Sequence, residues 1–260
     1  MGRILHLSDI HFGGENVEAV AAVRDLALRE TFDLIAITGD VTSYGSQPEF
    51  DAAAAWINAL PHRKLVTPGN HDTPWAGMVS RLVAPFGRYE HCFGPGDFGA
   101  VDLDGLSARA FNTARGIQLR TNWSKGAASR KDVQRVVESF NPGPSLRIVL
   151  CHHPLTEITG GPMTGEVHGG DKAVEMLAAG QADLILTGHV HTPFVHPLPQ
   201  GDGKTWAIGA GTLSLRERGA PAGYNVLEWD DRSVMVQAQG WTGSGFEAQR
   251  TWSIDRRIRA

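Results

Sequence analysis

The sequence has few cysteines and lacks a long apolar run. Only Cys92 and Cys151 occur in the 260 residues, so no disulfide framework is indicated. No stretch approaches the roughly 20 consecutive apolar residues that a membrane-spanning helix needs. The strand-like run after Met1 is too short and too early for a signal peptide. We therefore expect a cytoplasmic protein without a membrane partner.

An excess of positive charge is also missing. The chain carries 24 basic and 28 acidic residues, for a net charge of −4. It contains no basic arm or basic amphipathic helix, which argues against nucleic acid or a membrane surface as partner. Internal repeats, linkers and low-complexity tracts are absent as well. The length and the 42% hydrophobic content suit a single domain spanning residues 1–260.

Apolar runs alternate with helical patterns in the first third of the chain. Each run is followed by a polar loop and then by a helical stripe, which indicates strand–loop–helix units and a parallel sheet with crossovers. The runs lie at residues 3–8, 33–38 and 63–67, and similar runs recur at residues 146–151 and 183–187. Beyond Thr192 the pattern changes to period-two alternation, which predicts antiparallel hairpins. The fold class is therefore α/β.

Aspartate, asparagine and histidine follow five of these apolar runs. In open α/β sheets, sites form at the carboxyl ends of the strands, so these side chains are expected at one edge. Each motif alone is weak evidence, and their combination in one chain is what predicts a site. The five motifs are Asp9-x-His11, Gly39-Asp40, Gly69-Asn70-His71-Asp72, His152-His153-Pro154 and Gly188-His189-x-His191.

The donor set predicts a metal site. Two aspartates, one asparagine and four histidines supply oxygen and nitrogen ligands without a thiolate. Such a set suits Mn, Fe, Zn or Co ions better than a closed structural zinc site. Seven donors are too many for one catalytic ion, and they suit two ions that share a carboxylate.

These five motifs, in this order, resemble the calcineurin-like metallophosphoesterase family over residues 3 to about 193. The resemblance implies a four-layer αββα sandwich of two mixed β-sheets flanked by helices. It implies that one metal ion is held by Asp9, His11, Asp40 and His191. It implies that a second ion is held by Asp40, Asn70, His152 and His189, with Asp40 bridging the two. His152 is preferred to His153 because the ligand of the family stands two residues before the proline.

The resemblance also implies a reaction. A hydroxide between the ions would attack phosphorus in line, and His71 would donate a proton to the leaving group or stabilise its charge. The phrases around the motifs look closest to bacterial class III cyclic-nucleotide and glycerophosphodiester phosphodiesterases. A small phosphodiester is therefore expected as substrate, with 3′,5′-cyclic AMP as one candidate. A nuclease, a phosphomonoesterase and a non-enzymatic scaffold are the alternatives, and the scaffold is disfavoured because no ligand position is missing.

Several features stay open at the level of sequence. Diesters are expected over monoesters because the motif loops contain no Lys or Arg, although Arg115, Arg120 and Lys125 could reach the site. The glycine-rich stretch at residues 156–170 predicts a lid. The aromatic residues Trp75, Phe86, Tyr89 and Phe93 could line the substrate pocket or fill a small core. The basic end, Arg256, Arg257 and Arg259, is expected to be solvated. The native metal pair, and the choice between monomer and homodimer, are undetermined.

Overall fold

Two mixed β-sheets form the centre of the structure. The computed structural model describes residues 1–117, 124–143, 145–157 and 167–259. The strands are β1 (Gly2–Leu7), β2 (Leu34–Thr38), β3 (Lys64–Thr67), β4 (Phe98–Leu103), β5 (Leu106–Phe111), β6 (Leu146–Leu150), β7 (Leu184–Thr187), β8 (Phe194–Leu198), β9 (Thr205–Gly209), β10 (Gly223–Trp229), β11 (Ser233–Trp241) and β12 (Phe246–Asp255). The helices are α1 (Val17–Arg29), α2 (Gln47–Ala59), α3 (Met78–Val83), α4 (Gly87–Phe93), α5 (Arg130–Glu138) and α6 (Gly170–Ala179).

Each sheet combines a parallel centre with antiparallel strands. The first sheet has the order β12-β11-β10-β1-β2-β3, in which β1, β2 and β3 run parallel. The second has the order β4-β5-β6-β7-β9-β8, in which β5, β6, β7 and β9 run parallel. The first three predicted strands therefore lie side by side and parallel in one sheet. Within the described residues, none of the helices has both the length and the apolar character to span a bilayer.

The sheets pack face to face and helices cover their outer faces. Alternation along β1 shows the layering: Ile4 belongs to the core between the sheets, whereas Leu5 packs with α1 and α2 on the other side. Ile148 of β6 joins Ile4 in the inner core, and Val149 packs with α5 and α6. This is the four-layer αββα sandwich of two mixed sheets, and the predicted fold class is confirmed.

Side-chain caps begin two of the helices, at Asn16 and Ser129, which are residue types that favour the position before a helix. The backbone amide of Ala19 donates to Oδ1 of Asn16 (3.1 Å) at the start of α1. The amide of Asp132 likewise donates to Oγ of Ser129 (3.4 Å) before α5. Caps satisfy amides that the first helical turn leaves without partners. Both helices run from the carboxyl edge of the sheets, so these caps lie near the ends of the strands.

The region after β3 differs from the sequence-based expectation. The sequence pattern over residues 75–83 predicts one short helix; α3 forms within that stretch, and α4 follows it as a second helix that the pattern does not predict. Tyr89 of α4 is buried against the core that α2 also contacts, and Phe86 and Phe93 pack against the same core. Trp75 is instead exposed. Of the four aromatic residues considered for the pocket, three therefore pack against the core, and only Trp75 is available to line a pocket.

The basic C-terminal end is anchored, and the expectation of a solvated end is wrong. Asp183, just before β7, has a side chain only 5% exposed and accepts two hydrogen bonds from Arg259, each 2.9 Å. Nε of Arg257 lies 3.5 Å from the same carboxylate. The backbone amide of Arg147 also donates to it (2.8 Å). Composition does not reveal this anchor because the partner lies 76 residues away in the chain.

We predict that Asp183→Asn destabilises the protein by about 3–5 kcal/mol, because it leaves two buried guanidinium groups without their carboxylate. Urea unfolding followed by circular dichroism measures the change. Asp202→Asn is the matched control, because Asp202 also pairs with Arg257 but is 45% exposed. The control should cost less than about 1 kcal/mol. Equal losses in both variants would contradict the anchoring role of Asp183.

Candidate metal centre

The five motifs meet at one edge of the sandwich. Each follows the carboxyl end of a parallel strand: β1, β2 and β3 in the first sheet, β6 and β7 in the second. Because the sheets pack face to face, the two rows of strand ends face each other across the edge. The side chains of Asp9, His11, Asp40, His152 and His191 are buried there, and those of Asn70, His71 and His189 are half-buried.

Backbone strain is concentrated at these motifs. Among the described residues other than glycine, six have a positive φ, and five of them belong to the motifs. Their φ angles are 51° at Asp9, 54° at His11, 52° at Asp40, 69° at His189 and 63° at His191. The left-handed region costs a residue with a side chain about 1–3 kcal/mol, and such residues cluster at functional sites. The fold therefore holds five side chains in directions that relaxed loops would not choose.

One group of donors forms around Asp9. Nε2 of His191 lies 3.1 Å and Nε2 of His11 lies 3.8 Å from Oδ1 of Asp9. The two Nε2 atoms are 3.4 Å from each other. The facing ring nitrogens and the carboxylate oxygen thus converge on one point, which is the arrangement of a cation site.

Asp40 links this group to a second one. Its Oδ2 atom lies 3.9 Å from Nε2 of His11 and 3.2 Å from Nε2 of His152. The rings of His152 and His189 are in edge contact, with centroids 5.2 Å apart. Oδ1 of Asp40 is turned away and accepts the backbone amide of His71 (2.7 Å). Asn70, the residue before His71, is therefore held close to Asp40.

Backbone carbonyls orient three of the imidazoles. Nδ1 of His152 donates to the carbonyl of Thr38 (2.7 Å), and Nδ1 of His191 donates to that of Arg216 (2.7 Å). Nδ1 of His11 donates to the carbonyl of Thr42 (3.2 Å). Each bond keeps a proton on Nδ1, so that Nε2, the atom that faces the carboxylates, offers a lone pair whenever the ring is neutral. Histidines that bind metals commonly donate their other ring nitrogen in this way.

Three ligand atoms of the site are among the buried side-chain atoms of the described residues that make no hydrogen bond: Oδ1 of Asp9, Oδ1 of Asn70 and Nε2 of His152. Two of them have only a close charged neighbour, since Nε2 of His152 lies 3.2 Å from Asp40 and Oδ1 of Asp9 lies 3.1 Å from His191. The other oxygen of Asp9 is fully engaged, since it accepts from Oγ of Ser8 (2.5 Å) and from the amide of His189 (2.9 Å). Burying an unpaired polar atom costs about 1–3 kcal/mol. Metal ions would satisfy all three atoms at once, so the residues fit the ions that the motifs predict.

His153 lies against this cluster, and distance alone would admit it as a ligand together with His152 and His189. Its Nε2 donates to the carbonyl of Ser124 (2.8 Å), and its Nδ1 lies 2.9 Å from Oγ1 of Thr113. Both ring nitrogens are therefore occupied. The ring contacts those of His152 and His189, with centroids 4.8 and 4.6 Å away, so it supports two neighbouring imidazoles.

In the metal-free site an ionised carboxylate faces a protonated histidine. Although burial opposes ionisation, the neighbouring His152 and His71 hold the pKa of the Asp40 carboxyl well below its usual value. Burial also opposes protonation of His152, but the Asp40 carboxylate raises the pKa of His152 to about 9. Burial lowers the pKa values of His11 and His189 to about 4. At neutral pH the metal-free site thus holds a proton on His152, while His11 and His189 are neutral.

Two glycines permit the close approach of the motif loops. A Cβ on Gly69 would stand 2.1 Å from Oδ1 of Asp40, and one on Gly188 would stand 1.7 Å from Oγ of Ser8. Neither distance is tolerable for real atoms. Glycine beside the ligand motifs therefore serves packing between loops of different strands.

Asp72 joins the second and third motifs, a role that its position in the motif does not reveal. Its carboxylate accepts the amides of Gly69 (2.8 Å), Thr42 (2.9 Å) and Val41 (3.3 Å). Burial, followed by the negative charge of Asp40, raises the pKa of Asp72 to about 6. Asp72 thus ties together the loops after β2 and β3 without facing the donor cluster.

Sequence reasoning also missed Arg218. It lies on the loop between β9 and β10, where Oγ1 of Thr192 donates to its carbonyl (3.1 Å) and the carbonyl of Arg216 accepts from His191. The loop is therefore fastened to the last motif. The positive charge of Arg218 opposes protonation of both His189 and His191 and works to lower their pKa values. Of the basic residues considered above, Arg115 instead donates to the carbonyls of Asn112 and Ala114, and Arg120 lies outside the described residues.

The aspartate and histidine donors at one edge of this two-sheet α/β sandwich are those of a metal-binding site. The family profile described as calcineurin-like phosphoesterase matches residues 2–193. The chain belongs to this family, as its motifs predict.

Individual relatives agree with this membership. A protein of Synechococcus sp. named as a probable cyclic nucleotide phosphodiesterase is 26% identical over 244 residues, covering 86% of each chain. The glycerophosphodiester phosphodiesterase GpdQ of Enterobacter lignolyticus is 31% identical over 80 residues, covering 26% of this chain and 29% of that protein. The structure of a dimetal phosphatase from Danio rerio matches with a TM-score of 0.67 at 11% identity, covering 98% of both chains, which supports the fold alone.

We predict that metal binding releases protons near neutral pH. His152 must lose its proton to offer Nε2, and its pKa is about 9 in the metal-free protein. Apparent affinity should therefore rise as pH increases toward 9 and level off above it. Calorimetry in buffers of different ionisation enthalpy should detect about one proton or more per chain. Zero release at neutral pH would contradict ligation through His152.

Proposed function

We propose that the chain, as a single domain over residues 1–260, is a dinuclear-metal phosphodiesterase. One observation carries the proposal: Oδ2 of Asp40 lies between Nε2 of His11 and Nε2 of His152. A carboxylate in that position is suited to two ions. Asp9, His11 and His191 would complete one coordination shell. Asn70, His152 and His189 would complete the other.

The ions would supply positive charge to the phosphoryl group and bring a water to its nucleophilic state near neutral pH. Mn, Fe, Zn and Co all suit the donors. The residues of the chain orient the site for this purpose. Ser8 and the amide of His189 hold one oxygen of Asp9, so that the other is directed at the cluster. Hydrolysis then joins the oxygen of water to phosphorus as the ester P–O bond breaks, with attack in line.

The contacts of His71 support a role for it as proton donor. Its Nδ1 donates to the carbonyl of Ser43 (2.7 Å), so Nε2 is the ring nitrogen that can gain or lose a proton. The ring stands edge-on to His11, with centroids 4.8 Å apart, and lines the cavity beside the centre together with Asn70. We propose that protonated Nε2 of His71 delivers its proton to the departing oxygen.

Diesters fit the charges around the site. The motif loops contain no Lys or Arg, and Arg115 is directed at backbone carbonyls. Beyond the metal ions, a monoester dianion would find Arg218 near His189 and Arg81 on the wall of the neighbouring cavity, neither of which belongs to a motif loop. A diester carries one negative charge and needs fewer cations. The relatives named for cyclic nucleotides and glycerophosphodiesters support the same class. The proposed substrate is a small phosphodiester such as 3′,5′-cyclic AMP. The proposed enzyme is cytoplasmic, and it acts either as a monomer or as a homodimer.

We predict a higher kcat/KM for bis(p-nitrophenyl) phosphate than for p-nitrophenyl phosphate at neutral pH. Both reactions release the same leaving group, so the comparison isolates the charge and the second substituent of the substrate. One metal loading should be used throughout. A preference for the monoester would contradict the diesterase proposal and point to Arg218 as a phosphate ligand. Absence of hydrolysis with bound metal would favour the scaffold alternative.

We predict that His71→Ala slows esters of poor leaving groups most. General acid catalysis is typically worth about 10²–10⁴-fold, and a p-nitrophenolate leaves without needing a proton. The loss for 3′,5′-cyclic AMP should therefore exceed the loss for bis(p-nitrophenyl) phosphate by about tenfold or more. His62→Ala is a control, because His62 lies away from the motifs, where its Nε2 reaches the carbonyls of Ala27 and Glu30 and its ring contacts Phe32. Equal losses on the two substrates would exclude proton donation by His71.

A further inference from the structure

A cavity of about 330 Å³ opens beside His71. Asn70 and His71 form the wall nearest the candidate metal centre, and Tyr44 and Trp75 form an outer wall. With His71 as the proposed proton donor, the leaving oxygen would depart on this side. The group attached to that oxygen would then occupy this cavity.

The outer wall is an exposed aromatic pair. Trp75 is 75% exposed and Tyr44 is 56% exposed, with ring centroids 5.7 Å apart and planes inclined at 59°. Leaving large aromatic faces in water forgoes the favourable burial that comparable rings such as Tyr89 obtain. Two such rings side by side at the mouth of a cavity indicate a binding surface.

The backbone holds the pair in place. The amide of Trp75 donates to the carbonyl of Tyr44 (3.0 Å). The loops also approach closely at Gly45, where a Cβ would stand 2.4 Å from the carbonyl oxygen of Thr73. Gly45 adopts a φ of +64°, which a residue with a side chain rarely takes. Tyr44 and Trp75 are thus fastened to the same loops that carry Asp40 and His71.

Resting on the phosphodiesterase function proposed above, we propose that Tyr44 and Trp75 form a platform for the base of a nucleotide substrate. Aromatic side chains stack on any base because every base has a π face. A glycerol or ethanolamine substituent lacks such a face and would gain little from this wall. In a cyclic nucleotide the ribose that carries the leaving oxygen also carries the base, so both lie on the His71 side. The substrate is therefore a nucleotide diester and not a glycerophosphodiester.

Binding of AMP and of ribose 5-phosphate to the metal-loaded protein tests the platform without requiring turnover. The two ligands share the phosphate and the sugar and differ in the base. AMP should bind about 5- to 150-fold more tightly, which corresponds to one stacked base. Trp75→Ala and Tyr44→Ala should each reduce this ratio, and the double variant should abolish it while the affinity for ribose 5-phosphate is unchanged. Equal affinities of the two ligands for the wild-type protein would overturn the platform.

Kinetics provide the second readout. Trp75→Ala should raise KM for 3′,5′-cyclic AMP with little change in kcat, and kcat/KM for glycerophosphoethanolamine should not change. Leu28→Ala is the control, since Leu28 is an exposed apolar residue (59%) near the C-terminal end of α1, away from the motif loops. Equal losses on both substrates would overturn the proposal. Failure of the diesterase function itself would appear separately, as metal-loaded protein that hydrolyses neither substrate while the AMP ratio is still measurable.

Discussion

The carboxylate of Asp40 is the contact on which the rest of the site depends. One of its oxygens accepts the amide of His71, and the other lies between the ring nitrogens of His11 and His152. It therefore connects the ends of β1, β2, β3 and β6, which belong to both sheets. A buried carboxylate at such a junction needs compensating charge, and the raised pKa of His152 provides it in the metal-free protein. Metal ions would take over that compensation and displace the proton.

The surrounding structure fixes this arrangement before any ion binds. Carbonyls of Thr38, Thr42 and Arg216 set the tautomers of three imidazoles, and five motif residues are held at positive φ. Strain of that kind persists only where neighbouring contacts impose it. Asp72 contributes by bonding to amides of two loops, and Gly69 and Gly188 let the loops come close. The stability of the two-sheet core is thus used to hold donor atoms in a geometry that loops alone would not keep.

Much of this could be predicted from the sequence because the motifs are local and the sheet is regular. Strand–loop–helix units in the sequence predicted the parallel strands, and Asn16 and Ser129, which cap two helices, are residue types that favour helix starts. Contacts between distant segments could not be predicted. The pairing of Asp183 with Arg259, the charge of Arg218 near His189, and the occupied nitrogens of His153 all depend on how separate loops pack. The expected lid at residues 156–170 falls largely on residues 158–166, outside the described residues.

The central claim is that Asp40 joins two metal ions in one catalytic site. Elemental analysis of the purified protein, with activity measured on the same sample, tests it most directly. The account predicts about two ions per chain in active wild-type protein. Asp40→Asn should fold, by circular dichroism, and lose both ions together with activity, whereas Asp104→Asn in the exposed β4–β5 turn should keep them. Full activity with a single tightly held ion, or two ions retained by Asp40→Asn, would contradict the account.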